Sequence, residues 1–385
     1  MSSEPHLTLN GLSKVYNETL RAVDNVDLAV QDGEFVTLVG PSGCGKSTTL
    51  RMIAGFVSPT EGTIEMNGRN ISELTPDKRD IGMVFQSIAL FPHMTVAENI
   101  SYGMKVSAED FSQSEMDERV EEMLELIEMP GTEDRYPEEL SGGQQQRIGL
   151  ARSLALQPEV LLLDEPLSAL DEKLREQMQT ELTRIQQELG VTTVFVTHNQ
   201  EEAMTMGDRV AVMNEGKIQQ LAPPKEVYQR PANRFVAEFI GSPGMNTVRA
   251  RLDGTGDCRA VVWGDSRVEL PDPDPGLGTD EPVIFGARPE DFSQDPAGPV
   301  DLEVTVTEPL GDSMLVRGTA GGADLEVSLE PRADVRAGNT VSLAPDPDRL
   351  HLFDPDTGEA VYHSAPEVAN REQSAVVDAR TARGG

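Results

Sequence analysis

The chain is poor in cysteine, with only Cys44 and Cys258 among its 385 residues. Two thiols cannot make a disulfide framework. Cys44 also lies inside a glycine-rich motif that a bridge would obstruct, so a reducing compartment is expected. Long apolar runs are missing too: the uninterrupted ones, such as Val160 to Leu163, last only a few residues, against the roughly 20 needed to cross a bilayer as a helix. The polar start, Met1 to Pro5, does not read as a secretory signal. A soluble intracellular protein is expected. It is long enough for two or three domains whose cores need no covalent staples.

Positive charge is the third scarcity. Asp and Glu number 66 against 32 Lys and Arg, a net charge of −34. Only seven of the basic residues are lysine, and none follows Lys225. Such a surface argues against broad nucleic-acid binding, which needs a basic footprint. The acids are not gathered in a tail: residues 241–385 hold 27 acidic and 12 basic side chains, a net of −15, which leaves −19 for the first 240. An acidic, lysine-poor surface fits a cytosol at molar salt, where screening contracts to a few Å. An ordinary acidic protein with arginine-rich codon usage is the other reading.

From residue 6 to about 238, short β-rich runs alternate with helical stretches. Phe35 to Val39 and Val160 to Leu163 are compact apolar runs, as expected of central parallel strands, and Val191 to Thr197 is a β-branched third. Leu174, Met178, Leu182, Ile185 and Leu189 recur at helical spacing. This is the grammar of an α/β domain with a mostly parallel sheet. After about Ser242 the pattern changes. Leu302, Val304 and Val306 alternate with polar residues, as do Leu325, Val327 and Leu329, predicting a small β-barrel or sandwich. Pro271 to Gly276 reads as a turn or linker, and the segment from 364 as a loose polar tail.

Three motifs carry chemistry. Gly40-Pro-Ser-Gly-Cys-Gly-Lys-Ser47, followed by Thr48, fits the G-x-x-x-x-G-K-[ST] phosphate loop between a strand and a helix. Its backbone N–H groups and the helix N-terminus suit phosphate, Lys46 suits the β/γ-phosphates, and the Ser47 hydroxyl suits Mg²⁺. Leu161-Leu-Leu-Asp-Glu-Pro166 delivers two carboxylates to a strand end, Asp164 for the metal and Glu165 to polarise an attacking water. Leu140-Ser-Gly-Gly-Gln-Gln-Gln-Arg147 lies between them.

With these three in this order, the chain resembles the ATP-binding subunits of ATP-binding-cassette (ABC) transporters. The resemblance implies a P-loop ABC ATPase domain over 6–238, with a helical subdomain at about 88–157. A small all-β, OB-like regulatory domain over 239–363 and a tail over 364–385 complete the expected plan. It implies ATP and Mg²⁺ as cofactors. It also implies a head-to-tail dimer with a second copy or a close paralogue, in which Ser141, Gly142, Gly143 and Gln144 complete the partner's γ-phosphate site. Tyr16 matches the aromatic that stacks on adenine, Gln86 the glutamine that meets Mg²⁺ or water, and His198 the histidine at the γ-phosphate. Ser168 to Asp171 matches the loop that communicates between the two sites. Asn199 departs from the family, many members of which carry aspartate there, and puts the local hydrogen-bond network in question.

The stretches Phe239 to Asn246, Gly286 to Glu290, Glu308 to Gly311 and His351 to Asp354 resemble the carbohydrate-importer branch, of the maltose and glycerol-phosphate type. Leu74 to Asp80 and Leu167 to Arg175 are as similar to polyamine-importer subunits. The implied partners are two transmembrane permease subunits and an extracytoplasmic solute-binding protein, with no nucleic acid. The implied location is the cytoplasmic face of the membrane. A soluble non-transport ATPase and a mainly regulatory module, with Arg288 and Asp312 as candidate oxyanion ligands, are the competing readings.

Overall fold

The computed structural model describes residues 4–87, 90–107, 110–255, 258–271, 278–331 and 333–364. Most of the expected 271–276 linker and nearly all of the expected tail lie outside these residues. The chain falls into two units, Met1–Lys225 and Glu226–Gly385.

The first unit opens with the antiparallel hairpin β1 (Leu7–Tyr16) and β2 (Leu20–Val30). Next come β3 (Phe35–Val39), α1 (Lys46–Ile53), β4 (Glu61–Met66) and β5 (Arg69–Asn70). Strands β2-β1-β4-β5, in that order, make an antiparallel sheet. After β6 (Ile81–Val84) come three helices, α2 (Val96–Val106), α3 (Gln113–Leu126) and α4 (Gly142–Leu154). Each begins at a hydroxyl N-cap with a reciprocal partner three residues on: Thr95 with Glu98, Ser112 with Glu115, Ser141 with Gln144. The unit ends with β7 (Val160–Asp164), α5 (Glu172–Leu189), β8 (Thr192–Thr197), α6 (Gln200–Met206), β9 (Arg209–Asn214) and β10 (Lys217–Ala222). The second sheet has the order β10-β9-β3-β8-β7-β6, parallel apart from the β9–β10 hairpin.

Every residue of β3, β7 and β8 is buried, which is why these strands read as unbroken apolar or β-branched runs. Helix α5 buries Met178, Leu182 and Ile185 as its spacing predicts, whereas Leu189 at its end is exposed. Because the strands are parallel, the turns after β3, β6, β7 and β8 gather at one sheet edge. That edge is where an open α/β sheet places its ligand.

The second unit holds the short helices α7 (Pro224–Gln229, its first residues contributed by the preceding unit) and α8 (Arg234–Phe239). They lead into β11 (Asn246–Thr255), β12 (Cys258–Trp263), β13 (Ser266–Glu269), β14 (Pro282–Ala287), β15 (Phe292–Gln294) and β16 (Val300–Pro309). The remaining strands are β17 (Met314–Ala320), β18 (Ala323–Leu329), β19 (Thr340–Pro345), β20 (His351–Phe353) and β21 (Ala360–His363). Two antiparallel sheets, β13-β12-β11-β14-β20-β21 and β15-β19-β16-β17-β18, share a core that includes Val261, Phe285, Leu302, Val316 and Leu343. The Asn246 carboxamide joins them, donating to the Glu326 carbonyl at 2.7 Å and accepting from its N–H at 2.8 Å.

Two expectations fail here. Val306 does not continue the inward face of β16: a register shift between Val304 and Val306 turns it outward, 44% exposed. Arg288 is no oxyanion ligand. It is 2% exposed, donates to the Ile240 and Tyr228 carbonyls, and its guanidinium lies 3.6 Å from the centre of the Tyr228 ring. Its role is to pin α7 and the turn after α8 to the barrel.

His351 and His363 face each other across β20 and β21, with Nδ1 atoms 2.7 Å apart. Burial pushes His351 down to about 3 and His363 down to about 4, with Arg230 adding to both. Both are therefore neutral when folded at pH 5, where the unfolded histidines bind protons. Their stabilisation is complete above the unfolded value of 6.5 and is lost as pH falls from there towards 4 and 3. The shift corresponds to roughly 2 kcal/mol per histidine at pH 5. His363→Asn is expected to flatten the fall of the thermal midpoint between pH 7 and 5; parallel curves for variant and parent would contradict this.

Candidate active site

The loop after β3 is closed by glycines that admit no side chain. A Cβ on Gly40 would lie 2.2 Å from the Met213 carbonyl oxygen, and one on Gly45, at φ +109°, would lie 2.5 Å from that of Ala22. Gly43 takes φ +81°. Pro41 and Ser42 lie between these glycines, and Thr48 follows in α1. Lys46 is 5% exposed and folds back over the loop, donating to the carbonyls of Gly40 at 2.7 Å and Pro41 at 3.1 Å. Cys44 is buried beneath it. Burial pushes this thiol upward despite the opposing Lys46 charge, so it is a poor nucleophile.

The turn after β7 reaches the same place. Asp164, 4% exposed, accepts a hydrogen bond from Ser47 Oγ at 2.9 Å, so two residues 117 positions apart are in contact. The next residue, Glu165, has φ +46°, an uncommon conformation for a side chain of its kind. Its N–H donates to the Val196 carbonyl at 3.0 Å and its carbonyl accepts from Ser168 Oγ at 2.9 Å, which together hold the turn. The Glu165 carboxylate meets His198 Nδ1 at 3.0 Å and accepts from Gln86 Nε2 at 3.4 Å. Residues expected from four separate segments are thus brought together: Lys46 with Ser47, Gln86, Asp164 with Glu165, and His198. The oxygen donors of Ser47, Asp164 and Gln86 are the kind a hard divalent cation such as Mg²⁺ takes.

Other expected residues are placed elsewhere. Tyr16 ends β1, with Lys14 Nζ 5.3 Å from its ring centre; Ala22, on the paired strand β2, reaches Gly45. Ser141 and Gln144 bond to each other at the start of α4, and Asp171 caps α5 by accepting from the Leu174 N–H at 3.0 Å. A Cβ on Gly142 would meet nothing within 4 Å, so that side of the turn is open, whereas one on Gly143 would reach Leu174 at 2.9 Å. Among the described residues, the hydrogen bonds of Ser141 and Gln144 run within their own turn, away from the phosphate loop.

Asn199 answers the question raised by its identity. Its Oδ1 caps α6, accepting from the N–H groups of Glu201 at 2.8 Å and Glu202 at 3.4 Å, which an amide does as well as a carboxylate. Sequence reasoning passed over Glu202 and Arg175. In a chain with 66 acidic residues, nothing marks Glu202 as one whose side chain is only 5% exposed.

Comparison with known proteins gives the family. Residues 23–168 match the family described as ABC transporter, 241–292 the MalK OB fold domain, and 285–353 the TOBE domain. A xylose/arabinose import ATP-binding protein of Haloferax volcanii is 46% identical over 375 residues, covering 93% of this chain and 96% of the relative. An sn-glycerol-3-phosphate import ATP-binding protein of Ruegeria pomeroyi is 44% identical over 358 residues, covering 92% and 99%. Among solved structures, the dimeric post-hydrolysis state of an ATP-binding cassette bound to ADP and Pi matches with a TM-score of 0.50. It is 33% identical and covers 57% of this chain and 98% of that one.

Proposed function

The chain belongs to the ABC transporter family, and from that premise we infer that it is the ATP-hydrolysing, energy-coupling subunit of an importer whose solute is a sugar. The observation that carries the chemical part is the convergence of Lys46, Ser47, Asp164, Gln86, Glu165 and His198 at one sheet edge. The sugar assignment rests on the relatives, because the solute does not touch this subunit.

ATP phosphates lie on the backbone N–H groups of Gly40, Pro41-Ser42-Gly43-Cys44 (proline excepted), Gly45, Lys46, Ser47 and Thr48, at the positive end of α1. Lys46 exchanges the Gly40 and Pro41 carbonyls for the β/γ-phosphates. Ser47, Asp164 and Gln86 would hold Mg²⁺, which supplies charge neutralisation of the phosphates. Glu165 accepts a proton from the attacking water, and His198 is held against Glu165, facing the γ-phosphate. Tyr16 stacks on adenine.

Two copies pair head to tail. The open Gly142 turn, with Ser141, Gly143 and Gln144, completes the site of the other copy, and Asp171 stands at the interface. Among the described residues no helix is long and apolar enough to cross a membrane. As in an importer of this family, attachment to the cytoplasmic face comes through two permease subunits, which receive solute from an extracytoplasmic binding protein.

The test of the solute is uptake of labelled pentoses, disaccharides, glycerol 3-phosphate and putrescine by cells lacking the gene. Loss confined to a sugar is expected. Loss of putrescine uptake with sugar uptake intact would move the protein to the polyamine branch.

A further inference from the structure

Arg175 stands in the first turn of α5, four residues beyond Asp171. Its Nη2 donates to the Leu170 carbonyl at 2.9 Å, inside the Ser168–Asp171 loop. Its Nε lies 3.7 Å from Glu202 Oε1. The other oxygen of Glu202 accepts from Thr197 Oγ1 at 2.5 Å, and that hydroxyl accepts from the Asn199 N–H at 2.9 Å. A chain of polar contacts thus runs from the loop of Asp171 to the two residues that flank His198.

A cavity of about 170 Å³ lies beside these contacts, with Ser168, Arg175, Thr197, His198 and Glu202 in its lining. The two segments already meet through the Glu165 carboxylate and His198 Nδ1 at 3.0 Å, and the Arg175–Glu202 ion pair is a second link between them. Glu202 is well suited to the role. Burial pushes its carboxyl upward, while the Thr197 hydroxyl and then Arg175 favour the charged form. Losing the guanidinium leaves a buried carboxylate with its nearest counter-charge removed.

We propose that Arg175 and Glu202 form a latch that ties the Asp171 loop to the His198 turn and holds His198 and Glu165 in working register with that loop. Both are positioning residues, since neither bonds to a phosphate-loop group. The proposal rests on the ATPase reading above. It adds the route by which a displacement of the Asp171 loop, at the interface with the second copy, is felt at His198.

The test is steady-state ATP hydrolysis by the full chain carrying Arg175→Ala, Glu202→Gln, both together, or Arg175→Lys, with the parent alongside. Each single loss is expected to lower kcat about tenfold with KM for ATP within about twofold of the parent. The double variant is expected to be no worse than the weaker single, because the two residues act as one unit. Arg175→Lys, which keeps the charge, is expected to recover part of the rate. Additive losses, a KM that rises in step with the fall in kcat, or parental kcat in Glu202→Gln would each overturn the latch. Glu202→Gln keeps size and shape, so its thermal midpoint separates a positioning loss from unfolding. An active parent with unaffected variants sinks the latch alone; an inactive parent sinks the ATPase reading and the latch with it.

Discussion

Glu165→Gln lowers ATP hydrolysis by roughly 10²- to 10⁴-fold, the span usual for loss of a general base, while ATP still binds. The glutamine fills the same turn, so Ser47–Asp164 and the phosphate loop are undisturbed. It cannot take up the proton of an attacking water. The expected product is a dimer that closes on ATP and stays closed, seen as a nucleotide-dependent doubling of mass in size-exclusion chromatography. Parental turnover in this variant would mean that Glu165 is not the base. His198 is then the next candidate, because it shares the contact at 3.0 Å.

Gly45→Ala is the second large effect, and it comes from space rather than charge. At φ +109° a side chain is strained, and the new Cβ would lie 2.5 Å from the Ala22 carbonyl oxygen, which belongs to a strand and cannot move aside cheaply. The expected cost is about 2–4 kcal/mol of stability, with at least a 100-fold loss of ATP affinity as the loop opens. Gly142→Ala makes the contrast. That glycine has space around it, so the monomer should keep its thermal midpoint and its nucleotide affinity. Equal destabilisation by the two substitutions, read by thermal melts with and without ATP, would contradict this account of the loop.

Much of this site was legible because its groups are tied to short-range pattern. A strand buried on both faces leaves an unbroken apolar run, so the ends of β3, β7 and β8 could be read directly, and with them the positions of Gly40, Glu165 and His198. What escaped depends on long-range partners. Val306 keeps the alternation of its strand in sequence, yet a one-residue slip against β17 turns it to solvent. Arg288 resembles a free cation until the carbonyls of Ile240 and Tyr228 are found on it, 48 and 60 residues away. Arg175 and Glu202 are 27 residues apart in sequence, with the rest of α5 and all of β8 between them. The glycine-rich stretch before Asn246 and the segment around Arg288 were markers of a family branch. In the structure they are two halves of one interlocked corner.

The central claim is that ATP hydrolysis at the phosphate loop drives solute uptake. Its most direct test is uptake of the labelled solute in cells lacking the gene, complemented with either the parental gene or Lys46→Ala, both expressed to equal levels. The parental gene is expected to restore uptake and the Lys46→Ala form to leave it at the background of the deletion. Full restoration by Lys46→Ala would contradict the claim.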